Sequence, residues 1–194
     1  MVALRSDGGG SDTPSTPTSP PPGRIIAEVT RPSGRVYYEG ETMFVKASQP
    51  ARPLLALAES DSQLADVGLK ARVEWVSGAK DYGVGFVCRY ANAGNYYLLS
   101  VLSRGRYHIA RYRKGRLQSL ARGTSGALGE DGKDLGVRCV GSEPVILTLT
   151  VDGRDVATAR DALGIEEGNI GIRLGTSESV VTCSFQDFEL RSLG

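Results

Sequence analysis

Short apolar runs that alternate one-in-two with polar residues, each broken by a glycine or a turn pair, narrow the folds open to this chain more than any other feature. Val67, Leu69, Ala71, Val73 and Trp75 alternate with Asp66, Gly68, Lys70, Arg72 and Glu74. A period of two sends one set to a packed face and the other to solvent, which marks a half-buried strand. The same beat runs through Tyr82-Val84-Phe86-Cys88-Tyr90, Leu135-Val137-Cys139 and Val145-Leu147-Leu149-Val151, and again through Ile170-Ile172-Leu174 and Val181-Cys183-Phe185. Val151-Asp152-Gly153-Arg154 sets Asp-Gly between two β-rich runs, which predicts a type I′ hairpin. Lys114-Gly115 and Gly168-Asn169 punctuate the chain in the same way. Only Ala51–Gln63 and Ala159–Ile165 have a composition that admits helix, and the first reads equally well as a strand. Strands at roughly 8–12-residue spacing with turns between them predict an all-β antiparallel sandwich or barrel.

That texture begins at about Arg24. Residues 1–23 hold five of the nine prolines with four Gly, four Ser and three Thr. Such a segment has too little apolar surface to offset its chain entropy. Its prolines (Pro14, Pro17, Pro20, Pro21, Pro22) favour extended, polyproline-like conformations. The expected organisation is therefore a Pro/Ser/Thr/Gly-rich arm or linker over 1–23 and one β-sandwich domain over 24–194. The hydrophobic content of 40% supplies a single core.

Composition removes several function classes. The net charge is +1, without the basic excess expected of a nucleic-acid binder. No run approaches the ~18 apolar residues of a membrane-spanning helix. The segment MVALRSDGGGSDT lacks the apolar stretch of a secretory signal, so an extracellular placement requires a signal or anchor that this sequence does not contain. The single histidine, His108, has no second His nearby, no C-x-x-C pair occurs and no dense acidic loop is present, so no metal site is expected. Gly123-Thr124-Ser125-Gly126 lacks the Lys-Ser/Thr of a phosphate-binding loop. No cofactor is expected.

Three cysteines allow one disulfide with a free thiol, or no disulfide. Cys88 shares strand parity with Val84 and Phe86, and Cys139 shares it with Leu135 and Val137, so both point to a packed face. There they either join across the core or pack as two small hydrophobes. A hydrolase of the glycoside type needs two carboxyls flanking the scissile bond. The nearest candidate is Asp187 with Glu189, which lacks a third acid. Asp131, Asp134, Glu166 and Glu167 read as solvated loop charge, and no catalytic residue is assigned.

The chain's centre is richer. From Arg89 to Arg116 lie Tyr90, Tyr96, Tyr97, Tyr107 and Tyr112 among Arg104, Arg106, Arg111 and Arg113. Aromatic faces stack on the apolar faces of sugar rings, and guanidinium groups bind hydroxyls or carboxylates. Arg89, Tyr97, Tyr107, Arg111 and Tyr112 are the expected ligand-binding set, although Tyr and Arg also occur as ordinary sheet-face residues. Local parity leaves open which of Tyr96 and Tyr97 faces outward.

The segments GFVCRY (85–90), NYYLLSV (95–101), GRYHIARYRKGRLQSL (105–120), LGVRCVG (135–141), LTLTVDGRDVATARD (147–161), GNIGIRLGT (168–176) and VTCSFQDFEL (181–190) follow in an order that carries more information than any one of them. Over about residues 36–191 the chain resembles the concanavalin A-like (laminin-G/glucanase-type) sandwich domains of bacterial surface proteins, lipoproteins and serine/threonine kinase extracellular regions. The resemblance implies a two-sheet antiparallel jelly roll, an extracellular or cell-surface location and a disulfide between Cys88 and Cys139. Cys183 is then an extra cysteine, read as a buried, inert thiol. The expected function is a non-catalytic surface module that binds a glycan or other extracellular ligand. An alternative is a structural subunit that forms a homo-oligomer or surface complex through residues 1–23. A glycoside-active enzyme is disfavoured.

Overall fold

The computed structural model describes residues 26–58, 64–128 and 132–193; the arm over 1–23 and Asp131 lie outside them. Among the described residues there are fourteen strands and no helix. An eight-stranded sheet has the order β1 (Val29–Arg31), β2 (Gly34–Glu39), β3 (Thr42–Ala47), β14 (Val181–Ser192), β5 (Val67–Gly78), β10 (Lys133–Val140), β11 (Val145–Val151) and β12 (Arg154–Asp161). A six-stranded sheet has the order β4 (Leu54–Leu57), β13 (Asn169–Thr176), β6 (Tyr82–Asn92), β7 (Asn95–Leu102), β8 (Arg106–Arg113) and β9 (Arg116–Thr124). Every neighbouring pair is antiparallel. Of the two segments that admitted helix, the first contributes β4, and the second is the end of β12 followed by a turn.

Period-two burial builds the core. In β5, Val67, Leu69, Ala71 and Val73 are buried while Lys70 and Arg72 are exposed. Leu135, Val137, Leu147 and Leu149 bury beside them from β10 and β11. From the other sheet come Val84, Phe86, Leu99, Ile109, Ile172 and Leu174. Phe86 of β6 meets Phe185 and Phe188 of β14 edge-on, with ring centroids 6.5 Å and 5.8 Å apart, so aromatic contacts link the sheets. Each fully buried Val, Leu, Ile or Phe contributes about 1.5–3 kcal/mol, and the shared inner layer supplies most of what opposes chain entropy.

The turns follow their chemistry. Val151 pairs with Arg154, leaving the two-residue loop Asp152-Gly153 with φ of 49° and 76°. Two positive φ values define the type I′ turn, and Asp-Gly meets that demand at low steric cost. Lys114-Gly115 closes β8–β9 alike, with φ of 52° and 73°.

Cys88 of β6 and Cys139 of β10 form a disulfide, and the two strands belong to different sheets. The bond is a covalent staple through the core. Cys183 is a buried free thiol on β14, and burial pushes it up to about 12. A thiolate is the reactive form, so the native protein is expected to leave Cys183 unmodified by a thiol reagent at pH 8. One equivalent should react after unfolding. Rapid labelling of the folded protein would contradict this placement.

Candidate functional site

Of the five residues expected to bind ligand, Arg89, Tyr97 and Arg111 are buried and Tyr107 is partly buried against the core. Arg89 is fully buried. Its guanidinium donates to the carbonyls of Ala65 (2.7 Å), Ile165 (2.8 Å) and Gly141 (2.7 Å) and to Asp66 Oδ1 (3.0 Å). Asp66 also accepts from the Gly141 N–H at 2.9 Å, so one arginine gathers three loops. Burial lowers the Arg89 pKa, and Asp66 opposes that shift.

Tyr97 and Arg111 share a second buried network. The Tyr97 hydroxyl donates to Asp161 Oδ2 at 2.7 Å and accepts from the Ile165 N–H at 3.0 Å. Arg111 Nη1 reaches both Asp161 oxygens, at 2.5 and 2.6 Å, and its Nη2 reaches Gln118 Oε1. Burial and the Asp161 hydrogen bond push Tyr97 up to about 12. Tyr107, across from Gly123, packs against the core. A buried charge is retained only where it is paired and hydrogen-bonded; Arg89 and Arg111 are each paired with a carboxylate, although the buried Arg111 Nε has no hydrogen-bond partner among the described residues. Only Tyr112 of the expected set faces outward.

Around Tyr112 the outward face of the six-stranded sheet carries a different cluster. Tyr96 of β7 lies opposite Tyr112 of β8, and their rings stack at 4.4 Å with an interplanar angle of 16°. Tyr90 of β6 approaches Tyr96 from the other side at 5.6 Å. Val87, Leu98 and Leu55 pack beneath and beside the three rings. Tyr96 is 6% exposed because both its faces are taken by neighbours, and burial raises its pKa, as does Tyr112. Tyr90 and Tyr112 are half-buried. Solvent therefore reaches the rings of Tyr90 and Tyr112 more than that of Tyr96.

The expected binding set left out Tyr90 and Tyr96, which the sequence placed in the aromatic centre, because alternation fails here. Residues 84–89 of β6 and 96–100 of β7 are buried throughout, so both faces of the sheet are covered at its centre. The unbroken run Tyr96-Tyr97-Leu98-Leu99 was the available signal, since continuous apolar strands are those packed on both sides.

The strands of this sheet carry cations and no carboxylate of their own, and Arg173, His108 and Arg122 lie on the outward side. Burial, Arg122 and Arg173 lower the His108 pKa, which favours the neutral ring. At one corner, Asp81 accepts from Ser177 Oγ (2.6 Å), Ser103 Oγ (2.7 Å) and Arg106 Nη2 (3.2 Å). A shallow pocket beside it is lined by Trp75, Lys80 and Tyr82, but Lys80 Nζ already sits 3.4 Å above the Trp75 ring. Asp187 occupies a bulge at φ 51°, and Glu189 lies across from Lys70 and bonds Arg191, so both belong to the other sheet. No group of three or more His, Cys, Asp or Glu is placed to hold a metal among the described residues.

These carboxylates set an acid response. Hydrogen bonds from Ser177 and Ser103 hold Asp81 below its ordinary 3.8. At Asp161 burial alone would raise the pKa, but hydrogen bonds from Tyr97, the Leu163 N–H and Arg111 outweigh it and the net shift is downward. A depressed folded-state pKa contributes stability that is full above the unfolded value and lost as pH falls through the folded one. Urea midpoints are expected to hold above about pH 5 and to drop below about pH 4. Asp81→Asn should flatten that drop; an unchanged slope would contradict the assignment.

No family model and no curated protein matches the sequence. Solved structures do match in shape. The carbohydrate binding module CBM66 from Bacillus subtilis is 15% identical with a TM-score of 0.58, covering 86% of this chain and 92% of that one. A functionally unknown protein from Saccharomyces cerevisiae is 13% identical with a TM-score of 0.61, covering 88% and 98%. A prokaryotic β-1,3-1,4-glucanase (lichenase) derived from a mouse hindgut metagenome is 9% identical with a TM-score of 0.58, covering 90% and 89%. Binding modules and glycoside hydrolases share this architecture, so it does not separate the two. With two antiparallel sheets stapled through their core, and these neighbours, the chain has the concanavalin A-like jelly-roll sandwich fold.

Proposed function

We propose that this protein is a non-catalytic, extracellular carbohydrate-binding module whose ligand lies on the outward face of the six-stranded sheet. The observation that carries the reading is the Tyr90–Tyr96–Tyr112 cluster. Tyr96 packs with Val87 and Leu98, while the rings of Tyr90 and Tyr112 stay half-exposed on either side of it, and aromatic rings with hydroxyl tips suit the mixed apolar and polar surface of a sugar. The carboxylates that could flank a glycosidic bond, Asp187 and Glu189, lie on the eight-stranded sheet and are assigned no catalytic role. An intersheet disulfide suits an oxidising compartment. Residues 1–23 serve as a spacer, and 24–194 form the binding module.

A glycan array followed by calorimetry tests the reading. Tyr112→Ala, which removes a half-buried ring at one end of the cluster, is expected to weaken the bound glycan about tenfold, or about 1.4 kcal/mol. Tyr37→Ala, on the other sheet, should leave affinity unchanged. Equal affinity for wild type and Tyr112→Ala would move the site elsewhere.

A further inference from the structure

We propose that the outward face of the six-stranded sheet selects an acidic glycan, whose carboxylates pair with Arg173 on one flank and Arg122 on the other. The inference rests on the reading of this face as a glycan site and names the class of glycan.

Most ion pairs of the outer surfaces lie on the eight-stranded sheet, and on the six-stranded sheet Arg106 pairs with Asp81. On the eight-stranded sheet Lys70 pairs with Asp134, Arg72 with Glu74, Arg138 with Asp155 and Arg191 with Glu189. On the six-stranded sheet neither Arg122 nor Arg173 has an ion pair among the described residues, and the six strands offer no carboxylate to make one. An external carboxylate can therefore pair with either one without displacing an internal partner. Guanidinium groups suit this task because their planar fork matches a carboxylate with two parallel hydrogen bonds.

Register places the two arginines in one line. Arg173 lies across from Gly85, Gly85 from Ser100, Ser100 from His108, and His108 from Arg122. Four strand spacings separate the two arginine backbones, about 19 Å, which suits a chain of sugars rather than one ring. The floor between them is low. At Gly85 a Cβ would lie 2.2 Å from the Leu99 carbonyl oxygen, so strand packing keeps that position bare. His108 Nε2 lies 3.1 Å from Ser119 Oγ, so polar groups occupy the middle of the row. Tyr96 lies four residues along β7 from Ser100, opposite Tyr112. Cations therefore flank a polar centre on the same sheet face as the aromatic cluster.

The test measures binding of the full-length protein to an oligogalacturonate and to its carboxyl-reduced, neutral counterpart, at low and high salt. The oligogalacturonate should bind at least tenfold more tightly than the neutral sugar, with an advantage that shrinks as salt rises. Arg173→Gln and Arg122→Gln should each weaken the acidic sugar about fivefold and leave the neutral one unchanged. Both side chains reach solvent, so folding is expected to survive, and unchanged thermal unfolding verifies it. Neutral binding that is lost in Tyr112→Ala but indifferent to both arginine variants would keep the face a glycan site and overturn its acidic preference. Acidic binding that falls with either arginine yet survives Tyr112→Ala would keep the charge row and overturn the tyrosine reading. No binding of the oligogalacturonate would overturn the inference.

Discussion

Asp161→Ala is expected to destabilise the folded protein by about 3–5 kcal/mol, the cost of leaving a buried charge without its partner. Arg111 and Asp161 are 3% and 5% exposed, and Asp161 also accepts from Tyr97 and from the Leu163 N–H. Removing the carboxylate strands a guanidinium and a phenol in the core together. For a domain of this size the loss should appear as a fall in Tm of roughly 6–20 °C. Arg111→Met combined with Asp161→Ala should cost less than the sum of the two single changes, because the double variant buries no unpaired charge. Equilibrium denaturation of the four proteins closes the cycle. A single-variant cost under about 1 kcal/mol is what an exposed pair would show, and would contradict burial of this network.

Replacing Cys88 and Cys139 together by Ala is expected to cost about 4 kcal/mol, the chain-entropy value for a closed loop of 51 residues. The same change should steepen the dependence of stability on denaturant, since the unlinked unfolded chain exposes more surface. Because the bond ties β6 to β10 across the two sheets, its loss should also speed hydrogen exchange along both strands. A variant as stable as wild type, with an unchanged denaturant slope, would show that the bond restrains nothing that the core does not already hold.

Much of the fold was legible because it rests on local chemistry. Alternation in 67–73 and 145–151 reports a face buried on one side, and Asp152-Gly153 states its own turn. The candidate site was less legible, for two physical reasons. Neighbouring residues on a regular strand point to opposite faces, so Arg111 and Tyr112 could not both serve one surface, and the structure assigns only Tyr112 outward. Arg89 escapes alternation altogether. By simple parity with Cys88 it should face outward, but its φ of 50° in an irregular stretch of β6 turns the guanidinium inward to Ala65, Asp66, Gly141 and Ile165. The partners that make a buried arginine tolerable lie 23 to 76 residues away in sequence, beyond any local pattern. The same holds for Arg111 and Asp161, separated by 50.

Chemical-shift mapping of the full-length protein with a glycan identified on the array tests the central claim most directly. The ring signals of Tyr90, Tyr96 and Tyr112, with the side chains of His108 and Arg173, should move together and saturate with one affinity. Shifts confined to the Trp75–Asp81 corner, or to the charged outer face built on Lys70, Arg138 and Glu189, would place recognition elsewhere and contradict the account.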